Sequence, residues 1–157
     1  MGELHEGDKA PAFELPASTG GTIALADSLG RQHLVLYFYP KDMTPGCTQE
    51  ACSFRDLHEE FHEAGAAILG ISADSLDSHA RFVAKHELSF PLLADAGGLV
   101  AQAYGVWKER NMYGKKKMGV ERSTFVIDRR GLIRRVWRKV KVNEHADEVL
   151  EFVRQLA

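Results

Sequence analysis

Long apolar runs are missing from this chain of 157 residues. No stretch approaches the roughly 18 residues that a membrane-spanning helix needs, so such a span is excluded. Cysteine is scarce, with only Cys47 and Cys52. Two are too few for a disulfide scaffold, and a structural zinc would need histidines or carboxylates as partners. The opening MGELHEGDKAP lacks the apolar stretch of a secretory signal, so a cytoplasmic protein is expected. Repeats, low-complexity runs and Pro/Gly/Ser linkers are also absent, and the length suits one domain over residues 1–157. What is present is an ordinary globular composition, 45% hydrophobic and 27% charged, which excludes disorder. In a reducing cytosol such a cysteine pair is either inert or catalytic.

A net charge of −2 conceals an uneven distribution. Residues 1–107 hold 6 Lys and Arg against 15 Asp and Glu, whereas residues 108–141 hold 13 against 3. A basic block with aromatics in or beside it (Trp107, Tyr113, Trp137) is one signature of a nucleic-acid or partner-binding module. The plainer reading is a solvated basic hairpin, with Trp137 in hairpin packing, and it is preferred because charge runs are commonly solvated faces. Gly114-Lys115 is not a phosphate loop, because no glycine stands five residues before Gly114 and no Ser or Thr follows Lys115.

Patterning predicts an α/β sheet with helices on both faces. Phe13–Ala17 and Thr22–Leu25 bracket Gly20-Gly21 as a small hairpin. His33–Tyr39 and Ala66–Ser72 are near-continuous apolar runs, the mark of buried strands. Between them Phe54, Leu57, Phe61 and Ala64 recur at helical spacing, which predicts one helix from Cys47 to about Ala64, capped by Gly65. A second helix is expected over residues 75–86 with Ala80, Val83 and Ala84 inward. A short strand follows at 90–94 and a short helix at 99–104. Residues 123–128 and 132–137 flank Arg129-Arg130-Gly131 as a hairpin, and 145–156 closes the chain as a helix.

Cys47 falls just after a strand and loop, at or near a helix start, where unpaired N–H groups and the helix dipole favour an anion. That environment favours a nucleophilic thiolate. Thr44, in the same loop, has a hydroxyl that could donate to whatever the sulfur attacks or cap the helix, and Pro40 can exclude water from one side. The alternative is a buried, inert cysteine. Cys52 lies five residues on. On an ideal helix that spacing puts the Cα atoms about 8–9 Å apart, beyond the ~7 Å reach of a disulfide. Either Cys52 never meets Cys47, or the helix start opens once Cys47 is oxidised and a sulfenic acid condenses with the Cys52 thiol.

The segment YFYPKDMTPGCTQEAC, residues 37–52, resembles the active-site segment of peroxiredoxins, and within them the Q-type, bacterioferritin-comigratory group. Pro40, Thr44 and Cys47 match that pattern, and Arg122 in GVERSTFVID matches the late arginine before a strand. APAFELP, LGISADS, FPLLAD and YGVW extend the likeness over most of the chain. The resemblance implies a thioredoxin-like fold with an added N-terminal hairpin and a central mixed sheet flanked by helices. It implies reduction of hydrogen peroxide and organic hydroperoxides without cofactor or metal. Cys47 would attack the peroxide, Thr44 and Arg122 would hydrogen-bond thiolate and substrate, and Pro40 would shield the sulfenic acid. Cys52 matches the resolving cysteine of part of this group, with thioredoxin or a similar dithiol as reductant; a one-cysteine scheme with structural Cys52 is the alternative. A third cysteine for resolution between subunits is lacking, and a monomer is expected. Gly97-Gly98-Leu99 echoes a glycine pair linked to over-oxidation in some peroxiredoxins, but it follows PLLAD where the family places it before, so it reads as a turn and helix start.

One motif competes. His58-Glu59-Glu60-Phe61-His62 spells H-E-x-x-H and lies on a predicted helix, where spacing i, i+4 suits zinc. The next ligand position of the extended pattern is Ile68, which cannot bind metal, and no third ligand is marked. Two surface histidines are the plainer reading.

Overall fold

The computed structural model describes residues 3–112 and 114–156. A five-stranded sheet in the order β5-β4-β3-β8-β9 forms its centre. β3 (His33–Phe38) pairs in parallel with β4 (Ala66–Ser72), and β4 pairs in parallel with β5 (Leu92–Ala94). β8 (Ser123–Ile127) and β9 (Ile133–Trp137) extend the other side antiparallel. β3 is buried along its whole length, which explains its unbroken apolar sequence.

Alternation along β3 divides the core. Val35, Tyr37 and Tyr39 face a layer holding Phe54, Phe61, Phe82 and Val149, from α1 (Pro45–Asp56), α2 (His58–Glu63), α3 (Leu76–His86) and α5 (His145–Arg154). Leu34, Leu36 and Phe38 face Phe13, Leu25, Ala101, Tyr104, Val106 and Val120. That second face is covered by the N-terminal hairpin of β1 (Glu14–Pro16) and β2 (Thr22–Ala24), the short α4 (Leu99–Ala103), and β6 (Trp107–Met112) paired with β7 (Lys115–Val120). Helices flank both faces as expected, but unequally. No described helix is long and apolar enough to cross a membrane.

Three local expectations differ from the structure. The single helix from Cys47 to Ala64 is two, because Leu57 leaves helical geometry (φ −103°, ψ 5°); side-chain periodicity continues across this break, so the pattern does not reveal it. On α3 the buried residues are His79 and Phe82, while Ala80 and Ala84 are exposed and Val83 is half-buried. The bulk of Phe82 and a polar network around His79 turn the helix away from the alanine stripe. The basic block, expected as a solvated hairpin with strands assigned only after residue 122, also holds the β6–β7 pair, whose residues, half of them charged, carry no apolar alternation. Gly65, at φ +81°, follows α2 as its cap, and Gly97 and Gly98 form the turn before α4.

Candidate active site

The loop after β3 leads into α1 through Thr44, which has extended backbone (φ −74°, ψ 152°), and Pro45 at the first helical position. Proline loses nothing there, since first-turn N–H groups have no intrahelical partner. Cys47 is the third residue of α1 and is 1% exposed. Cys47 thus belongs to the first turn, at the positive end of the helix dipole.

Arg122 arrives from the far side of the chain by sheet register. Phe38 at the end of β3 pairs with Ser123 at the start of β8. The residue before Ser123 therefore lands beside the loop that leaves β3. Arg122 Nη2 donates to Cys47 Sγ at 3.3 Å, and Nη1 donates to Glu50 Oε1 at 2.6 Å. A Cβ on Gly46 would sit 3.1 Å from Nη2, so a small residue here gives the guanidinium room. Burial works against the Arg122 charge, and the neighbouring Glu50 and Cys47 outweigh it, so its proton is held more tightly than usual.

Glu50 is the residue that sequence reading missed. It is fully buried, and its Oε2 and the nearby Tyr37 hydroxyl have no hydrogen-bond partner among the described residues. Burial pushes its carboxyl up to about 7, against the pull of Arg122. A signal was available: Cys47, Glu50 and Phe54, at spacings of three and four, share one helix face. A carboxylate on a buried stripe asks for a partner.

The Thr44 hydroxyl neither caps α1 nor reaches outward; it donates to the Lys41 carbonyl at 2.8 Å. Pro40 is half-buried and lines a cavity of about 350 Å³ with Lys108, Arg110, Arg122, Lys139 and Val140. An adjoining cavity of about 330 Å³ is bounded by Pro40, Thr44, Lys117, Met118 and Val120. The β6–β7 hairpin thus forms one wall of the entrance. Cys52 is half-buried, and both cysteines are free thiols. Both lie within the uninterrupted α1, which keeps the separation that forbids a bond.

The basic block does not form one face. Arg129, Arg130 and Arg134 surround Asp128 at the β8–β9 turn, beside the start of β3. Lys108, Arg110, Arg122 and Lys139 gather at the opposite end, around the cavity. Trp137 packs against His145 and Phe152 beneath Arg135, and its indole N–H donates to Glu148. Trp107 lies where a Cβ on Gly98 would collide with its ring at 2.5 Å. Tyr113 lies outside the described residues. His58 is half-buried and bonded to Ser89 at 2.7 Å, while His62 is exposed. Among the described residues, the one group of His, Cys, Asp and Glu close enough to share a metal ion is Asp42, Asp74 and His79, remote from the H-E-x-x-H motif in sequence.

The AhpC/TSA family model matches residues 6–136. Peroxiredoxin Bcp of Bacillus subtilis is 50% identical over 154 residues, covering 98% of each chain. A Xylella fastidiosa peroxiredoxin Q, solved as a cysteine-to-serine variant, superposes with TM-score 0.91 at 39% identity, covering 98% of this chain and 97% of that one. The Xanthomonas campestris bacterioferritin comigratory protein, whose structures are described in terms of alkyl peroxide reduction, gives TM-score 0.85 at 48% identity, covering 90% and 89%. The chain belongs to the AhpC/TSA family. Its fold is the thioredoxin-like fold of peroxiredoxins, and its activity is that of a thiol-dependent peroxidase.

Proposed function

We propose that Cys47 is the peroxidatic nucleophile and that hydrogen peroxide and organic hydroperoxides are the substrates. The observation that carries this reading is the 3.3 Å bond from Arg122 Nη2 to a buried sulfur in the first turn of a helix. The helix end and the guanidinium both favour the thiolate. The thiolate attacks the terminal peroxide oxygen, the O–O bond breaks, and the product is Cys47 sulfenic acid plus an alkoxide or hydroxide, which takes up a proton. Arg122, permanently charged and offering several donors in a fixed fork, stabilises the charge as it moves from sulfur to oxygen. Thr44 lines the entrance, where its hydroxyl oxygen, with its proton on the Lys41 carbonyl, accepts from the peroxide O–H, and Pro40 keeps water from the sulfenic acid.

Cys52 then resolves the sulfenic acid. Its thiol sulfur attacks Cys47 sulfur, the S–O bond breaks, and water leaves with formation of the disulfide. The first turns of α1 must unwind for this, because the folded helix holds the two sulfurs apart. Thioredoxin or a similar dithiol supplies the two electrons that restore both thiols. The protein works as a monomer of one domain, residues 1–157, in the cytoplasm. The test is peroxide-dependent oxidation of reduced thioredoxin: it is abolished by Cys47→Ser, and turnover unchanged in that variant would overturn the reading.

A further inference from the structure

A second buried polar cluster lies behind the active-site loop. Asp42 sits between Pro40 and Thr44, yet its carboxylate is 1% exposed. Oδ1 accepts from the Tyr39 hydroxyl at 2.6 Å; Oδ2 accepts from Ser78 Oγ at 2.8 Å and lies 2.7 Å from His79 Nδ1. The Asp42 backbone N–H donates to Asp74 Oδ2 at 2.8 Å, and Ser72 Oγ donates to the same oxygen at 2.6 Å. One residue of the loop is therefore tied to the end of β3, the end of β4 and the first turns of α3.

His79 is completely buried, and its Nε2 lies 2.9 Å from the Leu93 carbonyl oxygen. A carbonyl oxygen only accepts, so Nε2 donates. The short contact from Nδ1 to Asp42 then needs one further proton, on the ring or on the carboxyl. With the proton on either group, the contact is a short, fully buried hydrogen bond that fixes the two side chains against each other. Stability alone does not account for it, because a buried ion pair is often no more stable than apolar side chains of the same volume. Metal ligation is not required either, since each member of the Asp42, Asp74, His79 group is already hydrogen-bonded.

The next residue shows what the network fixes. Met43 adopts φ +67°, a left-handed conformation uncommon for a side chain that is neither glycine nor asparagine. It is held from both sides. Asp42 is anchored by the cluster, and Thr44 by its hydroxyl on Lys41 and by its carbonyl, which accepts from Thr48 N–H at 2.8 Å. Such outliers persist where surrounding structure over-determines them.

We propose that Asp42 and His79 are a positioning pair that sets the Pro40–Thr44 loop in the shape that receives the peroxide. The pair acts through the loop and touches no reacting atom. The proposal rests on the reading of Cys47 as nucleophile. It predicts that the pair governs the rate of peroxide attack and leaves the thiolate itself unaltered.

The experiment is stopped-flow measurement of Cys47 oxidation by peroxide in the full-length protein, with thiolate ultraviolet absorbance and alkylation by iodoacetamide as controls. His79→Gln keeps a donor near Nε2 for Leu93 and loses the bond to Asp42. His79→Asn keeps a donor near Nδ1 for Asp42. Asp42→Asn and His79→Gln are expected to lower the peroxide rate constant by roughly tenfold to a hundredfold, the scale of a displaced positioning group. His79→Asn should stay close to the native rate, and Ser78→Ala should show a smaller loss in the same direction. Thiolate absorbance and alkylation should be unchanged throughout. Native peroxide rates in folded Asp42→Asn and His79→Gln would overturn the proposal. So would an equal loss in both His79 variants, or a rate loss matched by loss of thiolate. Should Asp42→Asn not fold, the two His79 variants and Ser78→Ala decide. A native protein that fails to react with peroxide overturns the peroxidase reading instead, and that result is seen before any variant is made.

Discussion

Glu50 holds one arm of the Arg122 guanidinium at 2.6 Å and leaves the other arm 3.3 Å from Cys47. A flexible arginine is thereby aimed, since both bonds come from one rigid planar group. The carboxylate that aims it is fully buried and half compensated, because among the described residues only Oε1 has a partner. The site therefore contains a group that resists ionisation where it is needed as a counter-charge.

That resistance has a pH signature. The Glu50 carboxyl is raised from 4.5 to about 7 in the folded protein. The folded state then holds a proton that the unfolded state has lost, so this group lowers stability as pH rises from about 4.5 to 7. A shift of this size corresponds to a contribution on the order of 3 kcal/mol, complete above pH 7. Glu50→Gln is expected to remove that slope. Urea midpoints of native and variant protein between pH 5 and 8 check it; parallel curves would contradict the assignment.

His145 acts in the opposite sense. It is buried beside Thr124, whose Oγ1 lies 2.8 Å from Nε2, and burial lowers its imidazole from 6.5 to about 4. The unfolded chain takes up a proton that the folded one refuses, so stability falls as pH drops from about 6.5 to 4. His145→Gln should flatten the acid limb of the stability curve in this window. Acid titration followed by circular dichroism measures it.

Arg122→Lys tests the fork. Lysine retains the charge but offers no rigid pair of donors to Cys47 and Glu50 together. The second-order rate constant for Cys47 oxidation is expected to fall by about a hundredfold, comparable to losing an oriented donor from a transition state. Arg122→Ala should cost stability as well, increasingly above pH 7, because Glu50 loses the counter-charge that lets it ionise while buried. Stopped-flow rates and urea denaturation separate the two effects.

The cysteine pair makes a prediction in mass. One equivalent of peroxide should remove two hydrogens from the native protein, as the Cys47–Cys52 disulfide forms. Cys52→Ser should instead gain one oxygen. A native protein that also stops at one added oxygen would establish the one-cysteine scheme. Stabilising the first turns of α1, for example by replacing exposed Gln49 with alanine, should slow disulfide formation about twofold without slowing the peroxide step, because closing the disulfide requires the helix to open.

Much of the site was legible in the chain. Pro40, Thr44 and Cys47 lie within eight residues, and a strand, a loop and a helix start are local events whose signals sit in adjacent residues. The strands β3 and β4 were legible for the same reason, since burial on both faces demands unbroken apolar sequence. Other features carried no local signal. The break at Leu57 preserves side-chain periodicity, and the β6–β7 hairpin, half of it charged, shows no apolar alternation. His79 and Phe82, rather than Ala80 and Ala84, face inward because their partners, Asp42 among them, come from elsewhere in the chain.

By itself the sequence determined a cysteine at a helix start and, through a spacing of five residues, a second thiol beyond its reach. Tertiary structure decided the rest. The pairing of Phe38 with Ser123 brings Arg122 to Cys47 across 75 residues of chain, and burial of the same helix face turns Glu50 into its counter-charge. Packing of α3 against the sheet sets His79 on Asp42. Local patterns fix conformation through nearest neighbours, whereas burial, register and ion pairing depend on which distant segments meet, and only the folded chain specifies that.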